Sequence, residues 1–303
     1  MLEADILKHK VRTMTSQQRD QFFEDGCLVI ENAIDDKWLD KLRAAMDDMI
    51  DKSRSVTESD ATFVLEDGHS RDDPRLRRLS SPVAHHPTFW EFASQSPAVD
   101  IAADVCGPDV KFHHSKLNFK WPKGGQLFDW HQDIQAWPHT DYSPVTIGVY
   151  LNDCGIEQGP LMAIRGSHKE PLRSMYDDDG NWVLRIEEEK MPQNWRENTL
   201  ALTGAAGSVA LLNCRVIHGS ERNASSAMRP LLLNVYSSAD SMPYTHNPLN
   251  TEYCGAIVAG KPARHACHDP RGCELPPDWS KGYDGPWKHQ SRETGEQLDA
   301  GAM

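Results

Sequence analysis

A histidine and an aspartate separated by one residue, His131 and Asp133, constrain the fold more than any other feature of the chain. In an extended strand, side chains two residues apart point to the same face, so these two side chains can bind one ion together. A third ligand has to come from a distant segment. His218, which follows the apolar run at 209–212, is the best candidate. Two imidazoles and one carboxylate bind one face of the metal in non-haem iron centres and leave the remaining positions open. These residues therefore predict a metal site built between strands.

An arginine follows the third candidate ligand closely and indicates what could bind at the open coordination positions of the metal. Arg229 begins the run 229–236, which is rich in leucine and predicts a buried strand. Its planar guanidinium can hold a carboxylate through two parallel hydrogen bonds, as the far carboxylate of a 2-oxo acid would require. A purely structural metal site has no use for such an arginine. Arg229 therefore favours an oxygenase over the alternative, a cupin-like metal-binding protein without oxygenase activity.

The order of these motifs resembles the phytanoyl-CoA dioxygenase family. The motifs are His131-Gln132-Asp133, Gly159-Pro160-Leu161, Gly166-Ser167-His168-Lys169, His218-Gly219-Ser220, Asn223 and Arg229-Pro230. The resemblance implies an Fe(II)/2-oxoglutarate-dependent dioxygenase that uses O2. It also implies a mainly β fold with α additions, a double-stranded β-helix (jelly roll, cupin-like) flanked by N-terminal helices. His131, Asp133 and His218 would then bind Fe(II), and Arg229 would bind 2-oxoglutarate. Halogenating relatives have glycine or alanine in place of the aspartate, so Asp133 favours hydroxylation, or desaturation by the same route.

The strand predicted at residues 110–121 offers two further contacts to the co-substrate. Asn118 and Lys120 fall on one face of its alternating pattern. The resemblance implies that either residue could reach 2-oxoglutarate. Lys116 falls on the same face, but we expect it to be solvated, as surface lysines usually are.

Three aromatic or imidazole side chains are predicted near the site as well. Tyr150 shares a face with Gly148 on the strand predicted at 145–151, and the small glycine would leave room there. The resemblance supports an aromatic residue close to the co-substrate at about this place. Trp137 and His139 follow the His-x-Asp motif closely and are candidates for the substrate pocket, although ordinary packing would also explain them.

The 303 residues predict a single oxygenase domain with three regions. The core barrel spans about residues 108–240, the N-terminal helical region spans residues 1–107, and the C-terminal tail spans residues 241–303. Within the helical region, Thr15 and Asp35 are predicted to cap two amphipathic helices. Residues 51–82 are polar and predict a solvated loop; the alternative is a mobile lid whose arginines meet an anionic substrate.

Composition excludes several classes of partner. A net charge of −13 argues against nucleic acid and anionic membranes, which need a basic surface. No apolar run approaches the roughly 20 residues of a membrane span. Seven cysteines at irregular spacings suit a reducing cytoplasm better than a disulfide framework. The oligomeric state is left open.

Other histidines are weaker candidates for metal binding. His113 and His114 are neighbours, and neighbours on a regular strand point to opposite faces. The segment 265–273 contains two histidines and two cysteines, but their spacing fits no common zinc template.

The expected substrate is a small polar or zwitterionic metabolite. Aromatic residues near the metal motif could hold an ammonium group by cation–π attraction. A coenzyme A thioester would need a gathered basic surface, whereas the arginines at 71–78 are interrupted by acidic residues. An acyl-CoA hydroxylase like the family's namesake is the alternative, and a protein side chain is a third candidate substrate.

Overall fold

The computed structural model describes residues 1–283 and 285–290, which form two facing sheets with helices packed against the larger one. Its helices are α1 (Glu3–Ile6), α2 (Ser16–Asp25), α3 (Asp36–Ser53), α4 (Pro82–His85), α5 (Pro87–Gln95), α6 (Pro97–Cys106) and α7 (Pro286–Gln290). Its strands are β1 (Cys27–Ile30), β2 (Phe63–Leu65), β3 (Leu76–Ser80), β4 (Val110–Lys120), β5 (Phe128–His131), β6 (Val145–Tyr150), β7 (Leu161–Ile164), β8 (Thr199–Leu202), β9 (Val209–Asn213), β10 (His218–Ser220), β11 (Arg229–Ser238) and β12 (Ile257–Ala259). None of the described helices combines the length and the apolar character needed to cross a bilayer.

The larger sheet has eight strands, in the order β1-β9-β6-β11-β4-β3-β2, with β12 paired to β4. The smaller sheet has the order β5-β10-β7-β8. Neighbouring strands are antiparallel in both sheets. Two such sheets, stacked face to face, confirm the predicted double-stranded β-helix with N-terminal helices.

Alternation along the strands of the larger sheet separates its two faces. Ile147 and Val149 on β6 point outward into the main apolar cluster, which they share with the helices. Leu231 and Leu233 on β11 point inward, toward the smaller sheet. Thr146, on the other face of β6 from Ile147, lines the interior cleft, which confirms the predicted orientation of that strand.

The helix caps predicted in the N-terminal region are present. The Thr15 hydroxyl accepts a hydrogen bond from the backbone N–H of Gln18, whose side chain accepts one from the N–H of Thr15. This helix, α2, ends at Gly26 in the left-handed region, with φ of 78°. The Asp35 carboxylate accepts a hydrogen bond from the N–H of Trp38 and caps α3 in the same way.

The prediction of a solvated loop at residues 51–82 is wrong. Strand β2 pairs with β3, and β3 pairs with β4, so this segment adds two strands to the larger sheet. Leu76 and Leu79 are fully buried, and Arg77 and Arg78 are also buried. Pairing along β4 and burial of the leucines outweigh the polar composition, which hid the strand in the sequence.

Strands also join the sheet from outside the predicted barrel boundaries of 108–240. Strand β1 pairs with β9, and β12, from the C-terminal tail, pairs with β4. The tail continues over the smaller sheet, where Trp279 is buried in an apolar cluster. Residue 284 and the end of the predicted tail, 291–303, lie outside the described residues.

Candidate active site

The two candidate histidines face each other across a pair of strands. His131 ends β5, His218 begins β10, and the two are direct partners in the register. Their ring centroids are 4.1 Å apart. Asp133 lies at the start of a 3-10 turn directly after β5, not on the strand as predicted. Gln132 between them keeps extended dihedral angles, φ −124° and ψ 118°, so the alternation survives and Asp133 still faces His131.

The His-Gly-Ser motif allows this close approach because it has a glycine at its centre. A Cβ atom on Gly219 would lie 2.8 Å from the backbone oxygen of Phe128 on β5. Any larger residue would push β10 away from β5. The glycine therefore lets the two strands bring His131 and His218 together.

The three candidate ligands offer donor atoms of the right kind at the right separation. Nε2 of His131 lies 3.6 Å from Oδ1 of Asp133, and Nε2 of His218 lies 3.9 Å from Oδ2. One ligand atom from each residue can be chosen so that all lie within 4.8 Å of one another. Within the described portion of the chain, no second group of this kind occurs, and the histidines and cysteines of 265–273 do not form one.

Hydrogen bonds to the backbone orient both imidazoles. Nδ1 of His131 lies 2.8 Å from the backbone oxygen of Asp129, and Nδ1 of His218 lies 3.1 Å from that of Val216. A carbonyl oxygen only accepts, so Nδ1 carries the proton in each ring and the lone pair of Nε2 faces Asp133. Two neutral imidazole nitrogens and one carboxylate are a donor set that fits Fe(II).

The electrostatics of the site keep these donors in the forms that bind a metal. Burial, together with the neighbouring His131, lowers the pKa of His218 to about 3, so this ring is neutral at neutral pH. Burial alone would raise the pKa of Asp133, but Lys116 and His218 hold it well below its ordinary value. Its Oδ2 also accepts a hydrogen bond of 3.1 Å from the Thr146 hydroxyl. The carboxylate is therefore ionised and held in place.

A cleft that is partly open to solvent lies between the two sheets beside this centre. The larger sheet contributes Lys116, Asn118, Lys120, Thr146 and Arg229 to its wall. The smaller sheet contributes the two histidines. The sequence-predicted Asn118, Lys120 and Arg229 thus share one cleft with the triad.

Arg229 is a buried guanidinium with an unused donor. Only 2 % of the residue is exposed, and burial lowers its pKa. One Nη donates a hydrogen bond of 2.7 Å to the backbone oxygen of Gly159, whereas Nε has no partner among the described residues. Lys120 is its direct register partner and donates to the backbone oxygen of Glu221. A buried arginine on a cleft wall with an unpaired donor is suited to receive an anion.

Lys116 is not solvated as predicted. Its side chain lines the cleft, and burial lowers its pKa. The difference arises because this face of β4 is turned toward the smaller sheet, so that Lys116 lines the same cleft as His131 and His218. The lysine is half-buried there instead of lying on an outer surface.

Tyr150 lies outside the described lining of the cleft but close enough to Arg229 to interact with its charge, and its contact with the co-substrate stays a prediction. Its hydroxyl donates a hydrogen bond of 2.6 Å to the backbone oxygen of Leu202. The space above Gly148 is filled by leucines as well. A Cβ at Gly148 would lie 3.1 Å from Leu233 and 3.3 Å from Leu231. The glycine therefore makes room for core packing, not for a ligand.

Trp137 and His139 are also absent from the described lining of the cleft, and their place at the substrate pocket stays a prediction. Both are buried and pack around His113, with ring centroids 5.5 Å and 4.8 Å from it. The expectation that His113 and His114 point apart fails, because their Nδ1 atoms lie 2.6 Å apart. The register of β4 against β11 skips His113, and this bulge turns both rings to one side.

Sequence reasoning missed Thr146, Arg77, Arg78 and Trp287, which all line the cleft. The two arginines were assigned to a loop, with contact to a substrate only as an alternative. Trp287 lies on α7, far along the tail, and its ring lies 4.5 Å from the guanidinium carbon of Arg78. No local signal in the sequence placed this helix at the cleft.

A jelly-roll barrel that holds two histidines and a carboxylate beside a basic cleft matches the arrangement of non-haem iron oxygenases. Solved structures share this fold. The iron-bound EctD from S. alaskensis has a TM-score of 0.64 at 23% identity over 88% of this chain and 90% of that one. The same enzyme with 2-oxoglutarate and 5-hydroxyectoine has a TM-score of 0.62 at 22% identity, with coverage of 88% and 89%.

Curated relatives are similar over most of their length. A probable alpha-ketoglutarate-dependent hypophosphite dioxygenase from Stutzerimonas stutzeri is 27% identical over 87% of this chain and 91% of its own. An ectoine dioxygenase from Stutzerimonas stutzeri (strain A1501) is 29% identical, with coverage of 73% and 76%. The model of the phytanoyl-CoA dioxygenase (PhyH) family matches residues 22–231.

The chain belongs to the phytanoyl-CoA dioxygenase family. It is a 2-oxoglutarate-dependent non-haem iron dioxygenase, as the sequence motifs predicted.

Proposed function

We propose that His131, Asp133 and His218 bind Fe(II) and that Arg229 binds the far carboxylate of 2-oxoglutarate. Lys120 and Asn118 lie on the same wall and would support that carboxylate. The observation that carries the proposal is the buried Arg229 with its unpaired Nε in the same cleft as the triad. A structural metal site would leave this donor without a function.

Bound iron would supply the oxidative chemistry, in which 2-oxoglutarate and O2 give succinate and CO2 while a C–H bond of the substrate is hydroxylated. The residues of the chain position the reactants. Thr146 and the backbone oxygens hold the three ligands in one orientation. Arg229 fixes the far end of 2-oxoglutarate, and Leu231 and Leu233 exclude water from the space between.

The cleft favours a small polar substrate. The substrate must share the space between the two sheets with 2-oxoglutarate, which favours a small molecule beside the metal. Two relatives are named for small polar molecules, ectoine and hypophosphite. Charge alone no longer argues against an acyl-CoA, because the structure places Arg77 and Arg78 at the cleft. The need to share the cleft with 2-oxoglutarate is what favours the smaller substrate.

The test is O2 consumption with Fe(II), 2-oxoglutarate and a panel of small acids, small amines and acyl-CoAs. We expect at least one small polar compound to raise O2 uptake together with stoichiometric succinate. Succinate release driven only by acyl-CoAs would show that the enzyme acts on the family's namesake substrate class. Absence of any Fe(II)-dependent succinate, including slow release without substrate, would contradict the proposed activity.

We also propose that the enzyme works in the cytoplasm. All seven of its cysteines are free thiols. Four of them are buried, where they pack as small apolar residues. A chain with this many unpaired thiols suits a reducing compartment.

A further inference from the structure

Five lysines and arginines line the cleft, and four of them form two pairs. Arg229 and Lys120 are register partners at the end of β4 and β11. Lys116 lies four residues earlier on the same face of β4, and Arg78 reaches that face from β3. At about 3.3 Å per residue, the two lysines are roughly 13 Å apart along the strand. The two pairs are therefore separate. The pair formed by Arg78 and Lys116 lies near Asp133, whose charge acts on both side chains.

The pair formed by Arg78 and Lys116 has no carboxylate of its own. Arg78 donates a hydrogen bond of 2.9 Å from Nε to the side-chain oxygen of Asn118 and is also hydrogen-bonded to Tyr283. Within residues 1–283 and 285–290, no carboxylate forms an ion pair with either Arg78 or Lys116. Asp133, the nearest acidic group, is assigned to the metal.

Arg77, the neighbour of Arg78 in the sequence, is paired with carboxylates, whereas Arg78 pairs with none in the described part of the chain. Arg77 also lines the cleft, but it donates to the carboxylate of Glu66 at 2.9 Å and lies 3.5 Å from that of Asp67. Arg78, by contrast, is 3 % exposed, and its hydrogen-bond partners among the described residues are neutral. Holding a buried and a half-buried positive charge near each other in one cleft is unfavourable unless an anion compensates them. Burial and mutual repulsion accordingly lower the pKa of Lys116, which an anion nearby would raise.

One carboxylate of 2-oxoglutarate cannot bind both the pair Arg229 and Lys120 and the pair Arg78 and Lys116. Its far carboxylate takes the Arg229 and Lys120 end, and its other end is needed at the metal. The positive charges of Arg78, Lys116 and the metal then exceed the negative charge left beside them. Among the described lining residues, Asp133 is the only carboxylate that could attract an ammonium group.

We propose that the substrate carries an oxyanion group, a carboxylate or a phosphorus oxyanion, and that this group binds between Arg78 and Lys116. The proposal rests on the proposed function and specifies the substrate class of that site. It replaces the expectation of an ammonium group held by aromatic rings. Trp287 has a different role here: its ring packs on the guanidinium of Arg78 and lines the same cleft.

Binding measured by calorimetry without O2 tests this directly. The protein is loaded with Fe(II) and 2-oxoglutarate and titrated with acetate, methylphosphonate and phosphite, and with tetramethylammonium and acetamide as cationic and neutral probes. We expect at least one oxyanion to bind and neither control probe to do so. Comparing the affinity for acetate with the affinities for methylphosphonate and phosphite identifies which kind of oxyanion the subsite prefers.

Variants assign the binding to the two residues. Arg78→Gln and Lys116→Met should each weaken oxyanion binding by about tenfold or more, with 2-oxoglutarate affinity changed less than about twofold. Arg78→Lys keeps the charge and should recover some of the affinity, which separates loss of charge from misfolding. Arg75→Gln is the matched control, because Arg75 pairs with Asp73 at the surface and should have no effect.

Four other outcomes would contradict this inference or the proposed function on which it rests. Weaker 2-oxoglutarate binding in Arg78→Gln or Lys116→Met would show that this pair serves the co-substrate and would overturn the proposal. Binding of tetramethylammonium but of no oxyanion would overturn it as well, and so would unchanged oxyanion binding in both variants. If the wild-type protein with Fe(II) fails to bind 2-oxoglutarate, the proposed function itself fails, and this inference fails with it.

Discussion

Asp133→Ala is expected to abolish 2-oxoglutarate turnover while leaving the barrel folded. The carboxylate is the only negatively charged candidate ligand, and two imidazoles alone bind Fe(II) weakly. His131→Ala and His218→Ala should give the same loss, because each removes one of three donors that the fold holds within 4.8 Å. Succinate formed per enzyme is the measurement, with circular dichroism to check the fold.

Asp133→Ala should also lower the stability of the protein, so the fold is checked alongside turnover. The carboxylate is the charge that acts most strongly on Lys116, so its removal leaves that lysine without compensation. Thr146→Val is the matched variant, since it removes only the hydrogen bond to Asp133 Oδ2 and should reduce turnover without abolishing it. Wild-type succinate formation in Asp133→Ala would remove the triad from the account.

Arg229→Leu is expected to weaken 2-oxoglutarate binding by roughly 1.5–3 kcal/mol, the usual contribution of hydrogen bonds to a charged group. This corresponds to about tenfold to more than a hundredfold in affinity. Arg229→Lys should recover only a fraction of the loss, because an ammonium group lacks the planar fork. The dissociation constant of 2-oxoglutarate, measured with Fe(II) and without O2, is the readout.

Tyr176→Phe is a suitable control for Arg229→Leu. The Tyr176 hydroxyl donates to the backbone oxygen of Leu275 at the surface and lies outside the described lining of the cleft, so its loss should leave 2-oxoglutarate affinity unchanged. An unchanged affinity in Arg229→Leu would contradict the assignment of this arginine. The next candidates for the carboxylate would then be Lys120 and the pair formed by Arg78 and Lys116.

The features of the site that follow local rules could be predicted from the sequence. The period of two along a strand placed His131 and Asp133 on one side, and it survives the 3-10 turn because Gln132 stays extended. Apolar runs before His218 and after Arg229 indicated the strands that hold them. The same kind of local rule predicted the helix caps at Thr15 and Asp35, which the structure confirms.

The features that depend on long-range pairing could not be predicted in this way. Strand β3 has a polar sequence and becomes a strand because it pairs with β4, and this pairing brings Arg78 to the cleft that Lys116 lines. The bulge at His113 is visible only in the register of β4 against β11. Trp287 reaches the cleft from the far end of the chain. Strand β3 and Trp287 change the substrate side of the site, whereas the spacing of His131 and Asp133 on the metal side follows from local sequence.

Iron-edge anomalous diffraction from anaerobic crystals grown with Fe(II) and 2-oxoglutarate tests the central claim most directly. The account predicts one iron peak bonded to Nε2 of His131, Nε2 of His218 and the carboxylate of Asp133. It also predicts that the far carboxylate of 2-oxoglutarate lies against Arg229. An iron peak elsewhere, or a 2-oxoglutarate carboxylate held by Arg78 and Lys116 with Arg229 unused, would contradict it.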